Sequence, residues 1–259
     1  MPFSEQDIQD LKDAKTLLEN PGIAAKLTDL IGGTLEKGFE LLPNGFQDKA
    51  LALTGSALSK AVDVAILTMD TSTQAEASNG LHSLAASATG AVGGFFGFAA
   101  LSVELPITTT IMLRSIADIA RSEGEDLQAG AAKGECIKVM ALGGTTTKDD
   151  GTDVGYFAVR SALANSMGKA AEHIATKGLG SEGAPALVKL ITKVAERFSV
   201  QVTEKAAAQA IPAIGAVGGA TINAVFTDHF QDMARGHFIV RRLERAYGED
   251  TVQDAYAAL

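Results

Sequence analysis

The chain has 259 residues, which is long enough to bury a sizeable core without stabilising disulfides or metal ions. Its net charge is −9, and because the acidic excess lies within residues 1–150, a nucleic-acid-binding surface spread over the whole protein is excluded. The single cysteine, Cys136, excludes an intrachain disulfide and a cysteine metal site. The opening residues are acidic and lack the apolar core of a signal peptide, so we expect a cytoplasmic protein.

Capping and turn residues divide the first part of the chain into four predicted helices. Ser4 and Asp7 have the spacing of a capping box, which marks the start of the first helix. The turn sequences Pro21-Gly22 and Pro43-Asn44-Gly45 separate the next two. We therefore expect helices that end before residue 21, near residue 42 and near residue 69, and a fourth that starts near residue 74.

The rest of the chain predicts further helices separated by two glycine-rich loops. A fifth helix is expected to begin around Glu104-Leu105-Pro106, because proline is tolerated in a first turn, where its missing N–H would have no partner. The loops are residues 143–153 and 177–185. The other helices are expected at roughly 126–142, 154–176, 186–209, 212–247 and 249–258.

No segment alternates apolar and polar residues with the period of two that is typical of a strand. We therefore predict an all-α fold. It is a single helical-bundle domain spanning residues 1–259, with roughly eight to ten helices and glycine-rich apolar helices at its centre. A division near residue 150 is less favoured, because neither half has a full set of amphipathic faces.

Two long segments, residues 78–103 and 206–227, lack Asp, Glu, Lys and Arg, and each contains the pentapeptide GAVGG. Glycines four residues apart lie on one face of a helix, where another backbone can approach closely. Three interpretations stay open: tight packing in a core, a hairpin that meets lipid or surrounds an acyl chain, and a membrane-spanning helix. The residues predicted to line an apolar interior are Gly90, Gly94, Phe95, Phe98, Gly215 and Gly219.

Glu104 stands at the end of the first uncharged segment, and an ionised carboxylate buried among apolar residues needs a partner. Arg114 and Asp118 share one helix face by their spacing, and Thr108 precedes them. These residues form either a structural ion network or the polar end of an apolar pocket that binds a headgroup or an anion.

The last long helix repeats this pattern. Asp228, Asp232 and Arg235 share one face, while His229 and His237 share another. Aspartate and histidine are ligands that suit zinc. However, the two histidines are eight residues apart and no HExxH-like motif is present, so we predict no metal site and no other cofactor.

Two short motifs lack the context that their chemistry requires. Residues 178–183 match GxGxxG, but a helix rather than a strand precedes them. Ser166 and Lys169 match SxxK, but the companion motifs of serine acyl-enzymes are absent. We therefore predict no catalytic residues.

Four segments resemble the EcsC protein family: Ala52–Ile66, Val103–Asp126, Gly155–Ala164 and Ile211–Glu244. The strings ELPITTTIMLRSIADIAR and ARGHFIVRRLE are the most specific, and the resemblance covers about residues 40–247. It implies a bacterial, helical, apolar-rich protein for which membrane association is one option, with no agreed activity and no assigned catalytic residues. The polar motif positions are Glu104, Arg114, Asp118, Arg160, Asn223, Asp232, Arg235, His237 and Arg241.

These features predict a non-enzymatic, lipid- or membrane-interacting protein with an apolar pocket or a membrane-facing hairpin. It would be cytoplasmic or peripheral at the inner membrane, with lipid rather than nucleic acid as its partner. We expect an acyl chain between the two glycine-bearing helices, with Glu104, Arg114 and Arg235 near its polar end. The arginines expected to face anionic lipid are Arg241, Arg242 and Arg245.

Two alternatives to this function remain. The first is a regulatory or partner-binding module for a membrane transporter, in which the glycine faces dock the helices of a membrane protein. The second is an enzyme that acts on an apolar substrate, with Glu104 or His229 as its acid or base, which would require a shifted pKa in a cleft.

Overall fold

Every regular element in the described part of the chain is an α-helix, which confirms the all-α prediction. The structure is a computed structural model, and it describes residues 3–19, 22–67, 98–144, 155–177, 185–211 and 215–259. Ten helices lie in these ranges, which agrees with the expected eight to ten. They are α1 (Glu5–Leu18), α2 (Ile23–Ile31), α3 (Glu36–Glu40), α4 (Phe46–Leu67), α5 (Phe98–Ser122), α6 (Gly130–Val139), α7 (Tyr156–Lys177), α8 (Pro185–Ala210), α9 (Gly215–Tyr247) and α10 (Glu249–Ala258).

Local sequence signals set the start of α1 and the end of α2. Ser4 is the N-cap of α1, and its Oγ accepts a hydrogen bond of 3.1 Å from the backbone N–H of Asp7, as the capping box predicts. The single helix expected to end near residue 42 is instead divided into α2 and α3. Gly32 ends α2 in the left-handed conformation, with φ of 62°, which glycine adopts without steric cost.

The predicted start of the fifth helix is wrong. Helix α5 begins at Phe98, so Pro106 lies inside it rather than in its first turn. Because proline lacks an N–H, the helix is missing one backbone hydrogen bond there, and it nevertheless continues to Ser122. The helix therefore continues across a position where proline normally marks a boundary.

Helix α6 is shorter than expected at both ends. At its start, the side chain of Asp126 accepts a hydrogen bond of 2.9 Å from the backbone N–H of Gln128, which favours a turn over a helix. After the end of α6, Gly143 adopts the left-handed conformation, with φ of 69°, so the helix does not continue there. Helices α7 to α10 begin and end within a few residues of their predicted bounds.

Two long helices organise the packing. Helix α8 packs against α2, α3, α4 and α7, while α9 packs against α1, α2, α5, α6 and α10. Between them lies an aromatic cluster of Phe198, Phe226 and Phe230, with ring centroids 5.2–6.0 Å apart. One cluster of buried apolar side chains extends from α1 to α10. Helix α8 is thus buried on one side and meets α3, α4 and α7 on the other.

The predicted glycine-bearing interior falls largely outside the described residues. Gly90, Gly94 and Phe95 lie there, while Phe98 and Gly215 are the first residues of α5 and α9. Gly219 is buried on α9. The apolar lining therefore stays a prediction. Within the described ranges, none of the helices combines the length and the apolar character that crossing a membrane requires.

Candidate functional site

Glu104 forms a fully buried ion pair with a partner that the sequence did not indicate. Its Oε1 lies 2.6 Å from Nζ of Lys205 on α8, and the Lys205 side chain is 0% exposed. Burial lowers the pKa of Lys205, although the Glu104 carboxylate opposes this effect. The ammonium also lies 5.1 Å from the centre of the Phe226 ring. This pair is sealed within the helix packing.

His237 on α9 is the centre of a second, larger network. Its Nε2 lies 2.9 Å from Oε2 of Glu135 on α6, and its Nδ1 lies 2.8 Å from the Tyr156 hydroxyl on α7. Burial lowers the pKa of His237 to about 4, despite the opposing hydrogen bond to Glu135. We therefore assign a neutral imidazole, with Nε2–H donating to Glu135 and Nδ1 accepting from the Tyr156 O–H.

Glu135 stays ionised within this network. Burial by itself would raise its pKa, but the hydrogen bond from His237 and the cations of Lys138 and Arg241 hold that pKa well below its ordinary value. The Lys138 Nζ is 2.7 Å from the Glu135 carboxylate, and the Arg241 Nη1 is 3.4 Å from it. The network thus contains both the carboxylate and the cations that neutralise it.

The arginines of the last long helix are all engaged with carboxylates of this chain. Arg241 binds Glu125 through Nε at 2.8 Å, and Arg245 also pairs with Glu125. Arg242 bridges three carboxylates, and Arg160 on α7 holds Glu244 in a bidentate pair of 2.6 and 2.9 Å. The partners of Arg242 are Asp7, Asp10 and Glu123. These arginines join α1, α7 and the turn after α5 to α9, so helix packing already uses their charge.

The other predicted binding residues are distributed among several places. Asp232 pairs with Lys26 at 3.1 Å and with Arg235 at 3.2 Å, near the surface. Asp118 pairs with Arg121 at 2.9 Å. Thr108 and Asn223 are buried, Arg114 is half-buried and Asp228 is exposed. Glu104 and Arg114 are ten residues apart on α5, or about 15 Å along its axis, so the predicted polar residues do not form one cluster.

His229 differs from His237 in having no polar side chain as a partner within the described residues. It is completely buried, and neither ring nitrogen makes a hydrogen bond of good geometry there. Burial lowers the pKa of His229 to about 3, so the imidazole is neutral. The ring packs against Gly143, where an added Cβ would lie 2.6 Å from Nε2. Its access to a substrate is blocked in this packing.

A half-open cleft lies along the other side of α8. Its volume is about 560 Å³, within the usual range of small-molecule sites. Helices α3 and α4 form one wall and α7 forms the opposite wall. Its apolar lining consists of Phe39, Leu51, Ala162, Leu163 and Val200, and its charged lining consists of Asp48, Lys193, Glu196, Arg197 and Glu204.

The floor of the cleft is one stripe of α8. Residues 193, 196, 197, 200 and 204 recur at the three- and four-residue spacing that keeps side chains on one helix face. The walls depend on a close approach of α3 to α8. A Cβ added to Gly38 would lie 2.1 Å from the carbonyl oxygen of Ala207, so only glycine allows this approach.

Glu204 is the ionisable group with the most unusual environment in the cleft. Burial raises its pKa to about 7, and no cation of the described chain pairs with its carboxylate. Its neighbour Lys205 points about 100° away around the helix and meets Glu104. At neutral pH, Glu204 therefore exchanges between a carboxylate and a carboxylic acid that can donate a hydrogen bond.

Sequence reasoning missed this cleft. One signal in the sequence could have indicated it, because the charged residues 193, 196, 197 and 204 share one face of the helix predicted at 186–209. The same spacing is equally typical of a solvated face, and the walls come from other helices, one of them formed by residues more than 100 positions away in the chain. In the ranges that the structure describes, no group of three His, Cys, Asp or Glu side chains could hold a metal ion.

Comparison with known proteins identifies the family. The family model of the EcsC protein family matches residues 5–243. The chain belongs to the EcsC protein family. Neither the curated proteins nor the solved structures include a match to it. The EcsC match begins well before residue 40, where the sequence resemblance was expected to start, and it therefore includes α1 to α3 and the Phe39 wall of the cleft.

Proposed function

We propose that this EcsC-family protein binds an amphipathic, lipid-like molecule in the cleft between α3, α4, α7 and α8. The observation that carries the proposal is the combination of apolar walls with a protonatable Glu204, which no described residue pairs, in a cleft of about 560 Å³. Small-molecule sites typically combine an apolar lining with a few polar groups that fix the orientation of the ligand. We therefore keep the predicted class, a lipid-interacting protein, but we propose its binding site along α8 rather than at the charged motif residues.

The arrangement of the lining supports an amphipathic ligand rather than a wholly polar one. Phe39, Leu51, Leu163 and Val200 all line the cleft, and Phe39 and Leu51 remain 40% and 38% exposed. Exposed large apolar side chains that gather at a concave site are a feature of binding surfaces. An acyl chain placed between these walls would remove them from water, which favours binding by about 25 cal/mol per Å² buried.

Glu204 supplies a polar anchor within the same site. In its protonated form it can donate a hydrogen bond to an ester or carboxyl oxygen of the ligand, and in its ionised form it can accept one. Because its pKa is raised to about 7, both forms are populated near neutral pH. The apolar walls and this single titratable group fit a binding site without any requirement for catalysis.

Peripheral contact with a membrane is part of the proposal. Leu41 follows α3 and is 55% exposed, beside the Phe39 wall of the cleft. With Phe39 and Leu51 of the cleft lining, Leu41 would form an apolar rim through which a lipid could pass between a bilayer and the cleft. The arginines expected from the sequence to face anionic lipid are paired within the protein, so we place this contact at the rim instead.

Filling the cleft tests the proposal. Val200→Trp places a large side chain on the floor between the apolar walls, so affinity for a dansyl-labelled undecanoic acid should fall at least tenfold. Val188→Trp is the matched control, because Val188 is an exposed residue of the same helix that does not line the cleft. Binding is measured by dansyl fluorescence, and helicity by circular dichroism. Equal probe affinity in the wild type and both variants would reject the cleft as the site.

A further inference from the structure

We propose that a second depression, beside the main cleft, binds the phosphate group of an anionic ligand. It has a volume of about 290 Å³ and lies between α7 and α8. We call it the lysine pocket, and its lining is Asn165, Ser166, Lys169, Ala186, Lys189 and Lys193. This inference rests on the proposed function, because it supplies the headgroup site for a lipid-like molecule whose acyl chain occupies the cleft.

The two helices bring the lysines together from separate parts of the chain. Helices α7 and α8 pack against each other, and Lys169 extends from α7 while Lys189 and Lys193 extend from α8. Lys189 and Lys193 are four residues apart, so they share one face. Ser166 and Asn165 add neutral hydrogen-bonding groups to the same depression. A phosphate oxygen in the pocket would thus have ammonium, hydroxyl and amide donors within one site.

The charge of the lysine pocket is unusual for this protein. The chain has a net charge of −9, yet no carboxylate occurs among the described residues that line the pocket. Lys169 and Lys189 form no ion pair within the described chain, whereas the arginines of α9 each have a carboxylate partner. Their positive charge is therefore available to an anion from outside the protein.

Lys193 connects the lysine pocket to the main cleft, because it lines both. Its Nζ donates a hydrogen bond of 3.3 Å to the carbonyl oxygen of Ala162, which also lines the cleft. An ammonium has three donors, and this is its one hydrogen bond to a described residue, so two donors remain for a ligand at the junction. The proposed anion site thus adjoins the cleft and its apolar walls at Lys193, which is the arrangement that a phosphate-bearing amphipath requires.

Calorimetric titration with three probes tests this inference. The probes are lauroyl lysophosphatidate, monolaurin, which has the same acyl chain without phosphate, and inorganic phosphate, with each lipid below its micelle concentration. The test variant is Lys169→Gln/Lys189→Gln. The matched control is Lys12→Gln/Lys60→Gln, which changes the net charge equally at exposed lysines outside both cavities.

We expect the test variant to bind lysophosphatidate at least tenfold more weakly, because it loses two charge-assisted contacts, and to bind monolaurin within twofold of the wild type. The control should bind both like the wild type. Unchanged lysophosphatidate affinity in the test variant would overturn the lysine pocket and leave the acyl cleft intact. If the wild type binds phosphate as tightly as lysophosphatidate and does not bind monolaurin, the pocket stands as a free-phosphate site and the lipid proposal fails. Binding of none of the probes would reject both.

Discussion

The network around His237 and the cleft around Glu204 both contain buried or half-buried ionisable groups, but they use them differently. In the network, His237, Glu135, Tyr156 and Arg241 satisfy one another and join α6, α7 and α9. In the cleft, Glu204 has no such partner among the described residues and faces open volume. A perturbed charge therefore indicates a binding site only when the protein itself leaves it unsatisfied.

This contrast explains why we do not place the proposed binding site at the charged residues of the family motif segments. Four of these residues each hold two helices of the described chain together through a buried or half-buried contact: Glu104, Arg160, His237 and Arg241. A buried pair is costly to break, since the remaining partner loses its compensation. These residues are best explained as determinants of the helix arrangement that creates the cleft.

The two buried histidines provide the strongest test of this contrast. His237→Leu removes the donor to Glu135 and the acceptor of the Tyr156 O–H, so it should lower the free energy of unfolding by about 2–4 kcal/mol. His229→Leu removes two nitrogens that lack hydrogen bonds of good geometry in the described chain, so its change should stay within about 1 kcal/mol. Urea unfolding measures both. Equal losses for the two variants would show that the network is not what distinguishes them.

Disrupting the close approach of α3 to α8 is expected to lower the stability of the protein by a smaller amount. Gly38→Ala would place a Cβ 2.1 Å from the carbonyl oxygen of Ala207, so α3 must shift, at a cost of about 1–3 kcal/mol. Gly55→Ala on α4 is the control, because its nearest contact would be 3.9 Å, and alanine in a helix interior is expected to stabilise by up to about 1 kcal/mol. Thermal unfolding compares the two. A Gly38→Ala protein at least as stable as the wild type would contradict the fixed position of the Phe39 wall.

The helices were predictable because capping residues, turn sequences and apolar spacing act within a few positions. The cap at Ser4 and the helix at 249–258 were predicted correctly for this reason. The start of α5 was not, since the helix continues through Pro106. Ion partners were also beyond reach, because Glu104 and Lys205 are 101 positions apart and meet only through packing. The spacing of residues within one helix does not predict which residue of another helix will be the ion-pair partner.

The smallest expected effect is the change of protein stability with pH that arises from the titration of Glu204. Its pKa is about 7 in the folded protein, compared with 4.5 for an unperturbed glutamate, so the folded chain holds a proton that the unfolded chain releases. Its contribution is therefore fully present below pH 4.5 and is lost as the pH rises towards 7 and above. Relative to wild type, the free energy of unfolding of Glu204→Gln should increase by about 1–2 kcal/mol from about pH 5 to about pH 8. This increase is smaller than the full pKa shift implies, because the side chain is partly exposed to solvent.

The check is urea unfolding of wild type and Glu204→Gln at both pH values. Glu196→Gln serves as the control, since Glu196 lines the same cleft but is exposed. A stability difference between Glu204→Gln and wild type that does not change with pH would show that Glu204 titrates like an ordinary surface glutamate.

A crystal structure of the protein grown with lauroyl lysophosphatidate tests the proposed binding mode most directly. We predict an acyl chain between the Phe39 and Leu163 walls, above Val200, with the phosphate beside Lys169 and Lys189. Density for the acyl chain at any other position, with the cleft between α3, α4, α7 and α8 filled only by water, would contradict it.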